Sequence, residues 1–170
     1  MGEAKQGQSF IQHEFDEAIA VQQAIVEAER ILADAHPLKE AQVAIGRMIK
    51  DDEQCLQQLQ ELGKQFGATG KAEEVAGAMQ QLSETTTQSA EDAPSEAYEA
   101  HAVLLTMLRK QQDSSGAMLK IAQEMDEREI KDAALQMQKQ TKTEADELAT
   151  LLSQFAVQIA TGDGQSASMR

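Results

Sequence analysis

The sequence predicts an all-α fold, a bundle of four antiparallel helices with one long crossover, from three observations. Ala, Gln, Glu, Leu, Lys and Met, which lead the helix scale, dominate the composition, whereas the chain has one Tyr, four Phe and no Trp. Its 170 residues include only two prolines, so helix breaks are few. Between the breaks, apolar residues recur at alternating spacings of three and four, which is typical of helices with one buried face.

Length and charge limit the class of protein. A chain of 170 residues is predicted to form one domain around one hydrophobic core. Its 29 acidic residues outnumber 15 basic ones, and a formal charge of −14 repels phosphate groups. We therefore expect neither nucleic acid nor an anionic membrane as a partner. Cys55 is the only cysteine, and neither an apolar leader nor a membrane-length apolar run is present, so we expect a cytoplasmic protein.

The first two long helices form the first predicted hairpin, with a tight corner at Pro37. Proline fits a first helical turn because its missing N–H is not needed there. The first helix, residues 9–35, carries the stripe Ile11, Phe15, Ala18, Gln22, Ile25, Glu29 and Leu32. The second helix, residues 38–66, carries the stripe Leu38, Ala41, Ile45, Met48, Asp52, Cys55, Leu59, Leu62 and Phe66.

Residues 67–94 form the connection to the third helix. A weak stripe predicts a short helix inside it: Val75, Ala78, Met79 and Leu82. A helix of about 27 residues is ~40 Å long at 1.5 Å per residue, and this connection can run that length. The third helix is therefore predicted to start beside the start of the second, which is the long-crossover topology.

The second predicted hairpin joins helices over residues 95–125 and 129–159. The third stripe is Ala97, His101, Leu104, Leu108, Gln111, Ser115, Met118, Ala122 and Met125. The fourth is Ala134, Met137, Thr141, Glu144, Leu148, Leu151 and Phe155. We expect one bundle over residues 9–160, with flexible tails at 1–8 and 161–170. A shift of 89 residues superposes the sequences of the two hairpins. It places Gln22 on Gln111, Met48 on Met137, Leu59 on Leu148 and Phe66 on Phe155. This match indicates either an internal repeat or a chance similarity of two amphipathic hairpins.

Polar residues interrupt all four stripes at one height. They are Gln22, Asp52, Gln111, Thr141 and Glu144. Buried polar groups cost a few kcal/mol when unpaired, so such a layer is either a hydrogen-bonded network or a binding site. In ferritin-like carboxylate proteins, two metal ions occupy this position between Glu and Glu-x-x-His ligands.

Parts of the chain resemble the ferritin-like, YciF-type stress protein family. The similarity is carried by Phe10-Ile11-Gln12 and by residues 59–67, 75–82 and 146–148, and it covers about residues 10–157. It implies a ferritin-like antiparallel bundle and a stress-associated role. The metal-ligand positions of that family fall on Gln22, Met48, Asp51, Gln111 and Gln140. Amides and a thioether cannot balance the charge of an iron pair, so the family's metal chemistry is not expected here.

Two interpretations of the layer stay open. The favoured one is a metal-free, cofactor-free network that fixes helix register, formed by Gln22, Asp52, Gln111, Gln140, Thr141 and Glu144. The alternative is a reduced carboxylate site in which Asp51, Asp52 and Glu144, with water, hold a single metal such as Mg, Ca or Mn or, less favoured, Fe. Glu29 could add a fourth ligand. A simpler explanation for a glutamate on the first stripe is that this edge of the stripe reaches solvent.

The remaining candidate residues favour structural roles. We expect His13, His36 and His101 to be helix-end histidines near solvent, and Cys55 to be a buried apolar residue. No catalytic motif is present, so no catalytic residue is predicted. A second set of apolar residues indicates either a homodimer face or a broad core stripe: Ile19, Val21, Val26, Val43 and Ile49. The sequence names no other protein partner.

Three functions are therefore compatible with the sequence. The favoured one is a non-enzymatic, ferritin-like bundle protein that has lost its di-metal centre and has a stress-associated or structural role, as a homodimer. The second is a metal-binding protein or oxidoreductase with the reduced carboxylate site. The third is an amphipathic coat protein of a hydrophobic particle, which the abundance of Gln and Ala suggests.

Overall fold

The computed structural model describes the backbone of residues 2–162 and the side chains of residues 6–162. Five helices account for most of this range and no strand occurs within it, which confirms the all-α prediction. The helices are α1 (Gly2–Ala35), α2 (Lys39–Lys64), α3 (Val75–Gln88), α4 (Pro94–Glu124) and α5 (Arg128–Thr161).

The ends of the chain differ from the prediction. Helix α1 begins at Gly2, so residues 2–8, expected as a tail, continue the helix predicted over 9–35. This stretch has no proline, and its Lys, Gln, Glu and Ala residues favour helix. Helix α5 ends at Thr161, and the next residue, Gly162, has a φ of 73°, the left-handed conformation that glycine adopts easily. Met1 and most of the predicted C-terminal tail, residues 163–170, lie outside the described residues.

The four long helices contact one another in the cyclic order α1, α2, α5, α4. The pairs α1–α2 and α4–α5 make the most extensive contacts, and the α2–α5 edge makes the least. Helices α1 and α4 run antiparallel, because Glu17 meets Lys110 while His36, just past the end of α1, meets His101 near the start of α4. Helices α2 and α5 also run antiparallel, because Arg47 meets Glu147 while Asp52 meets Gln140.

The connection between α2 and α4 runs along α1 from one end to the other. Its first turn is tied to the early part of α1, where Gln12 donates to the Gly67 carbonyl and Asp16 accepts from the backbone N–H groups of Thr69 and Gly70. Further on, Gln80 donates to the Ala20 carbonyl. Helix α3 therefore covers the outer side of α1 and also packs on α4.

The buried face of α3 differs from the predicted one. Val75 and Leu82 are 57% and 53% exposed, whereas Ala76, Ser83 and Thr87 are buried. Small side chains let α3 approach α1 closely, and Thr87 satisfies its hydroxyl by donating to the Ser83 carbonyl. Of the predicted stripe, Met79 packs against the core, whereas Val75, Ala78 and Leu82 are exposed.

The cover that α3 provides explains the second set of apolar residues on α1. Ile19, Val21 and Val26 are buried within the chain, which is the broad-core alternative rather than a free homodimer face. On α2, Val43 is 63% exposed and Ile49 is half-buried.

The core consists of two apolar clusters. One lies toward the α1–α2 corner and includes Leu32, Ile45, Leu104, Leu108 and Leu148. The other lies toward the opposite end and includes Phe15, Leu59, Leu62, Met118 and Met137. Buried polar residues separate the two clusters along each of the four long helices.

Candidate functional site

Three glutamines join one aspartate in a hydrogen-bonded chain across the middle of the molecule. Gln111 Nε2 donates to Gln22 Oε1 (2.9 Å) and to the Ala18 carbonyl (2.9 Å). Gln22 Nε2 donates to Asp52 Oδ1 (2.6 Å), and Gln140 Nε2 donates to the same oxygen (3.0 Å). The chain therefore connects α4, α1, α2 and α5, so all four long helices contribute one member.

The burial of this layer is nearly complete. Gln22, Asp52 and Gln111 are 0% exposed, and Glu144 is 6% exposed. Gln140 is half-buried at the α2–α5 edge. In such surroundings an unpaired amide or carboxylate would cost a few kcal/mol, so the mutual pairing is energetically significant.

Thr141 lies in the layer but does not join the chain. Its hydroxyl donates to the Met137 carbonyl one turn earlier in α5 (2.8 Å). This local bond satisfies the hydroxyl, so Thr141 needs no hydrogen bond to a neighbouring helix.

Three carboxyl groups meet beside the amides: Glu29, Asp52 and Glu144. Glu29 is 0% exposed, so the expectation that it lies at a solvent-reaching edge is wrong. The cause is the packing of three helices around α1, which leaves this part of its surface no access to water. The side chains of Glu29 and Glu144 both come within hydrogen-bonding reach of Asp52.

Shared protons explain how three acids can be buried together. Burial, followed by Asp52, raises the pKa of Glu29 well above its ordinary value and the pKa of Glu144 to about 9. Burial also raises the pKa of Asp52, but bonds from Glu29, Gln22 and Glu144 lower it. We therefore place the protons on the two glutamates, and the single negative charge on Asp52.

This protonation state supplies partners for otherwise unpaired atoms. Both oxygens of Glu29, Asp52 Oδ2 and Glu144 Oε2 are buried and accept no N–H bond. A protonated glutamate is a donor, so Glu29 and Glu144 can each bond Asp52. Two buried atoms of the layer are left without a donor, Gln111 Oε1 and the unprotonated oxygen of Glu29.

The ligand set expected for a di-metal site does not fit this layer. Gln22 and Gln140 direct their N–H groups at Asp52, and Asp51, a candidate ligand, is exposed on the surface of α2. Among the described side chains, the only three His, Cys, Asp or Glu residues whose ligand atoms all lie within 4.8 Å of one another are His13, Glu14 and Glu17. That group sits on one helix face, where Glu17 already pairs with Lys110 (3.3 Å).

A groove at the α2–α5 edge brings the layer close to solvent. It has a volume of about 410 Å³, and Asp51, Gln140 and Glu144 are among its lining residues. Arg47 stands at its rim and pairs with Glu147 (2.6 Å). Protons and small ions can therefore approach Glu144 without passing through either apolar cluster.

Cys55 lies next to the layer in α2 and is buried. Burial, followed by the nearby Asp52 and Glu144, raises the pKa of its thiol to about 12. The thiolate is the nucleophilic form of cysteine, so this residue is unreactive in the folded protein.

Two histidines form a second buried polar group, near the α1–α2 corner. His36 Nε2 lies 2.9 Å from His101 Nδ1, and both rings are 0% exposed. The expectation of solvent-near histidines is therefore wrong for this pair, while His13 is half-exposed beside Glu17. Two signals could have predicted this contact. His101 lies on the third stripe, and the long-crossover topology makes α1 and α4 antiparallel.

No protein-family model, curated protein or solved structure matches the chain. The resemblance to the YciF-type family therefore stays a prediction. Within residues 2–162, no helix has both the length and the apolar character needed to cross a membrane.

Proposed function

We propose that this chain is a non-enzymatic, ferritin-like helical-bundle protein in which a network of amides and carboxyls takes the place of a di-metal centre. Its role in this proposal is structural or stress-associated, and it needs no cofactor. The observation that carries the proposal is the chain from Gln111 through Gln22 and Asp52 to Gln140, which links all four long helices.

The direction of the hydrogen bonds supports a structural role. Gln22, Gln111 and Gln140 fall where the resembling family has carboxylate ligands, and here each of them uses its Nε2 as a donor to a neighbouring helix. A cation would meet N–H groups at these positions, because an amide offers only one neutral oxygen. A network that requires one partner from each helix fixes the register of the two hairpins.

The helix arrangement supports the ferritin-like part of the proposal. The cyclic order α1, α2, α5, α4 and the antiparallel course of α1 and α4 are those of two hairpins joined by a long crossover. Gln22 and Gln111, which the 89-residue shift superposes, bond each other directly (2.9 Å). A contact between equivalent residues is expected on a two-fold axis that relates two repeats.

Metal analysis tests this proposal. Protein purified without chelator and dialysed is expected to retain no stoichiometric iron or manganese, and its melting temperature is expected not to change with either ion. Gln22→Glu is the matched gain-of-ligand variant, because it places a carboxylate beside Asp52 at the family's ligand position. Stoichiometric metal that survives dialysis of the native protein would contradict the proposal.

A single-cation site is the second candidate function. Its support is the set of buried carboxyl oxygens without N–H donors in Glu29, Asp52 and Glu144, together with the groove that reaches Glu144. Binding would have to draw these carboxyls together, because their oxygens do not all lie within 4.8 Å of one another. A cation that replaced the two shared protons would require oxygen ligands of this kind. In that case Asp52→Asn should abolish a metal-dependent rise in melting temperature that native protein shows.

The coat-protein and homodimer alternatives depend on the exterior. Val75 and Leu82 form an exposed apolar pair on α3, and Val43 is exposed on α2. Flotation with neutral lipid vesicles tests the coat function, for which these residues would have to bind the particle. Light scattering during size-exclusion chromatography tests the homodimer, and a mass of 18.5 kDa would contradict it.

A further inference from the structure

The two buried histidines form a one-way chain of hydrogen bonds. The backbone N–H of Leu38 donates to His36 Nδ1 (3.0 Å), so this nitrogen must carry a lone pair and His36 must hold its proton on Nε2. That proton is donated to His101 Nδ1 (2.9 Å), so His101 also holds its proton on Nε2 and donates it to the Leu148 carbonyl (2.9 Å). Each ring is neutral, and each ring nitrogen has one partner.

This chain has no place for an additional proton. A proton on His36 Nδ1 would face the N–H of Leu38, and a proton on His101 Nδ1 would face the N–H of His36. Either event replaces an attractive bond by two opposed donors inside the core. Burial, followed by His101, accordingly lowers the pKa of His36 to about 4, and burial lowers the pKa of His101.

Among the side chains that the structure describes, no acid pairs with either ring. Glu40 on α2, Glu99 on α4 and Asp34 in the last turn of α1 are exposed. On α5, the half-buried Glu147 pairs with Arg47. The pKa of His36 responds to burial, to His101 and to the backbone of Leu38. The pKa of His101 responds to burial and to the backbone of Leu148.

The pair holds several elements together at this end of the molecule. The bonds join the α1–α2 corner to α4 and α5, and the ring of Phe155 packs on His36 with 4.6 Å between centroids. Tyr98 of α4 packs on the same phenylalanine (6.4 Å). Beside it lies a cleft of about 510 Å³, lined by residues that include Pro37, Phe155 and Ile159.

We propose that His36 and His101 form an acid-sensitive latch, which closes this end of the molecule while both rings are neutral and releases the α1–α2 corner when they are protonated. Release removes the ring that covers Phe155 and enlarges the apolar cleft beside it. The latch is independent of the central amide layer and of whether that layer binds a metal.

Nitrogen-15 NMR of the imidazoles in the native chain tests the latch without any variant. At pH 7 we expect both buried rings to carry their proton on Nε2, with Nδ1 unprotonated. Hydrogen exchange of the Leu38 amide, corrected for its intrinsic rate, measures how often this end of the molecule opens. If opening returns the pKa of His36 from about 4 to the ordinary 6.5, the open fraction should increase roughly twentyfold between pH 7 and pH 5 from His36 alone, and release of His101 adds to this increase.

Three variants complete the experiment. In His36→Gln and in His101→Gln the pH dependence of the opening should be reduced, because one of the two titrating rings is gone, whereas the half-exposed control His13→Gln should keep it in full. Rings that titrate near pH 6.5 while the Leu38 amide stays protected would overturn the proposal. Rings that stay neutral until the whole protein unfolds in one step would overturn it as well, because the latch would then not act locally.

Discussion

Replacing Glu144 by glutamine should stabilise the protein at neutral pH, although Glu144 is buried in the core. With the protons placed on the two glutamates, the Glu144 carboxyl donates to Asp52 and lies within hydrogen-bonding reach of Gln140. Glutamine has a donor and an acceptor in the same positions, so Glu144→Gln preserves both bonds. What it removes is the need to bind a proton on folding.

The magnitude follows from the pKa of Glu144, which burial and then Asp52 raise from 4.5 to about 9. Because the folded-state pKa is the higher one, the contribution of Glu144 to stability is greatest below pH 4.5 and falls as the pH rises toward about 9. Each pH unit in this window costs about 1.4 kcal/mol, so the penalty at pH 7 is about 3 kcal/mol. Glu144→Gln should recover a large part of it.

Urea unfolding of the native chain and of Glu144→Gln at pH 4, 7 and 8.5 measures this effect. The two proteins should be equally stable at pH 4, and the variant should be increasingly more stable as the pH rises. Glu129→Gln is the control, because Glu129 is exposed on the same helix and should cause little change. A variant that is less stable than the native protein at pH 7 would refute shared protons and favour a bound cation.

Three further predictions concern single side chains. Gln22→Leu should destabilise the fold by about 2 kcal/mol in urea unfolding, because Asp52 loses a charge-assisted hydrogen bond. The control Gln23→Leu changes an exposed side chain and should have little effect, and equal effects of the two variants would contradict the role of the amide chain. Gly46→Ala should raise stability by about 0.5–1 kcal/mol, because Gly46 lies in α2 and an added Cβ would meet only the Ala33 Cβ, at 3.9 Å. Gly77→Ala should lower the melting temperature, since its Cβ would lie 2.5 Å from the Ala72 backbone oxygen, and the opposite order of the two variants would contradict this packing. Cys55 should react with a thiol reagent only after denaturant is added, and rapid reaction of the native protein would contradict its burial.

The helices could be predicted from the sequence because each carries a long stripe with a period near 3.6. The predicted ranges 38–66, 95–125 and 129–159 differ from α2, α4 and α5 by one or two residues at each end. Gln22, Asp52 and Gln111 were recognisable because they interrupt these stripes. Their hydrogen-bond directions were not, because the sequence does not show which amide nitrogen faces which oxygen.

The missed features depend on tertiary packing. Glu29 looked like a stripe edge, and only the additional cover on α1 places it in the core. The face of α3 was misjudged because small and polar residues, such as Ala76 and Thr87, pack against α1 instead of Val75. The histidine pair brings together residues that are 65 positions apart, and neither has a motif around it.

The protonation state of the buried carboxyls tests the metal-free layer most directly. Carbon-13 NMR of glutamate-labelled protein, recorded from pH 4 to pH 8 before and after addition of Mg²⁺ and then Mn²⁺, reports each carboxyl separately. We expect two glutamate carboxyls, those of Glu29 and Glu144, to remain protonated at pH 7 and to be unaffected by either cation. Ionised signals for both at pH 7, or loss of their protons when one equivalent of cation binds, would contradict the claim that this layer is a metal-free network.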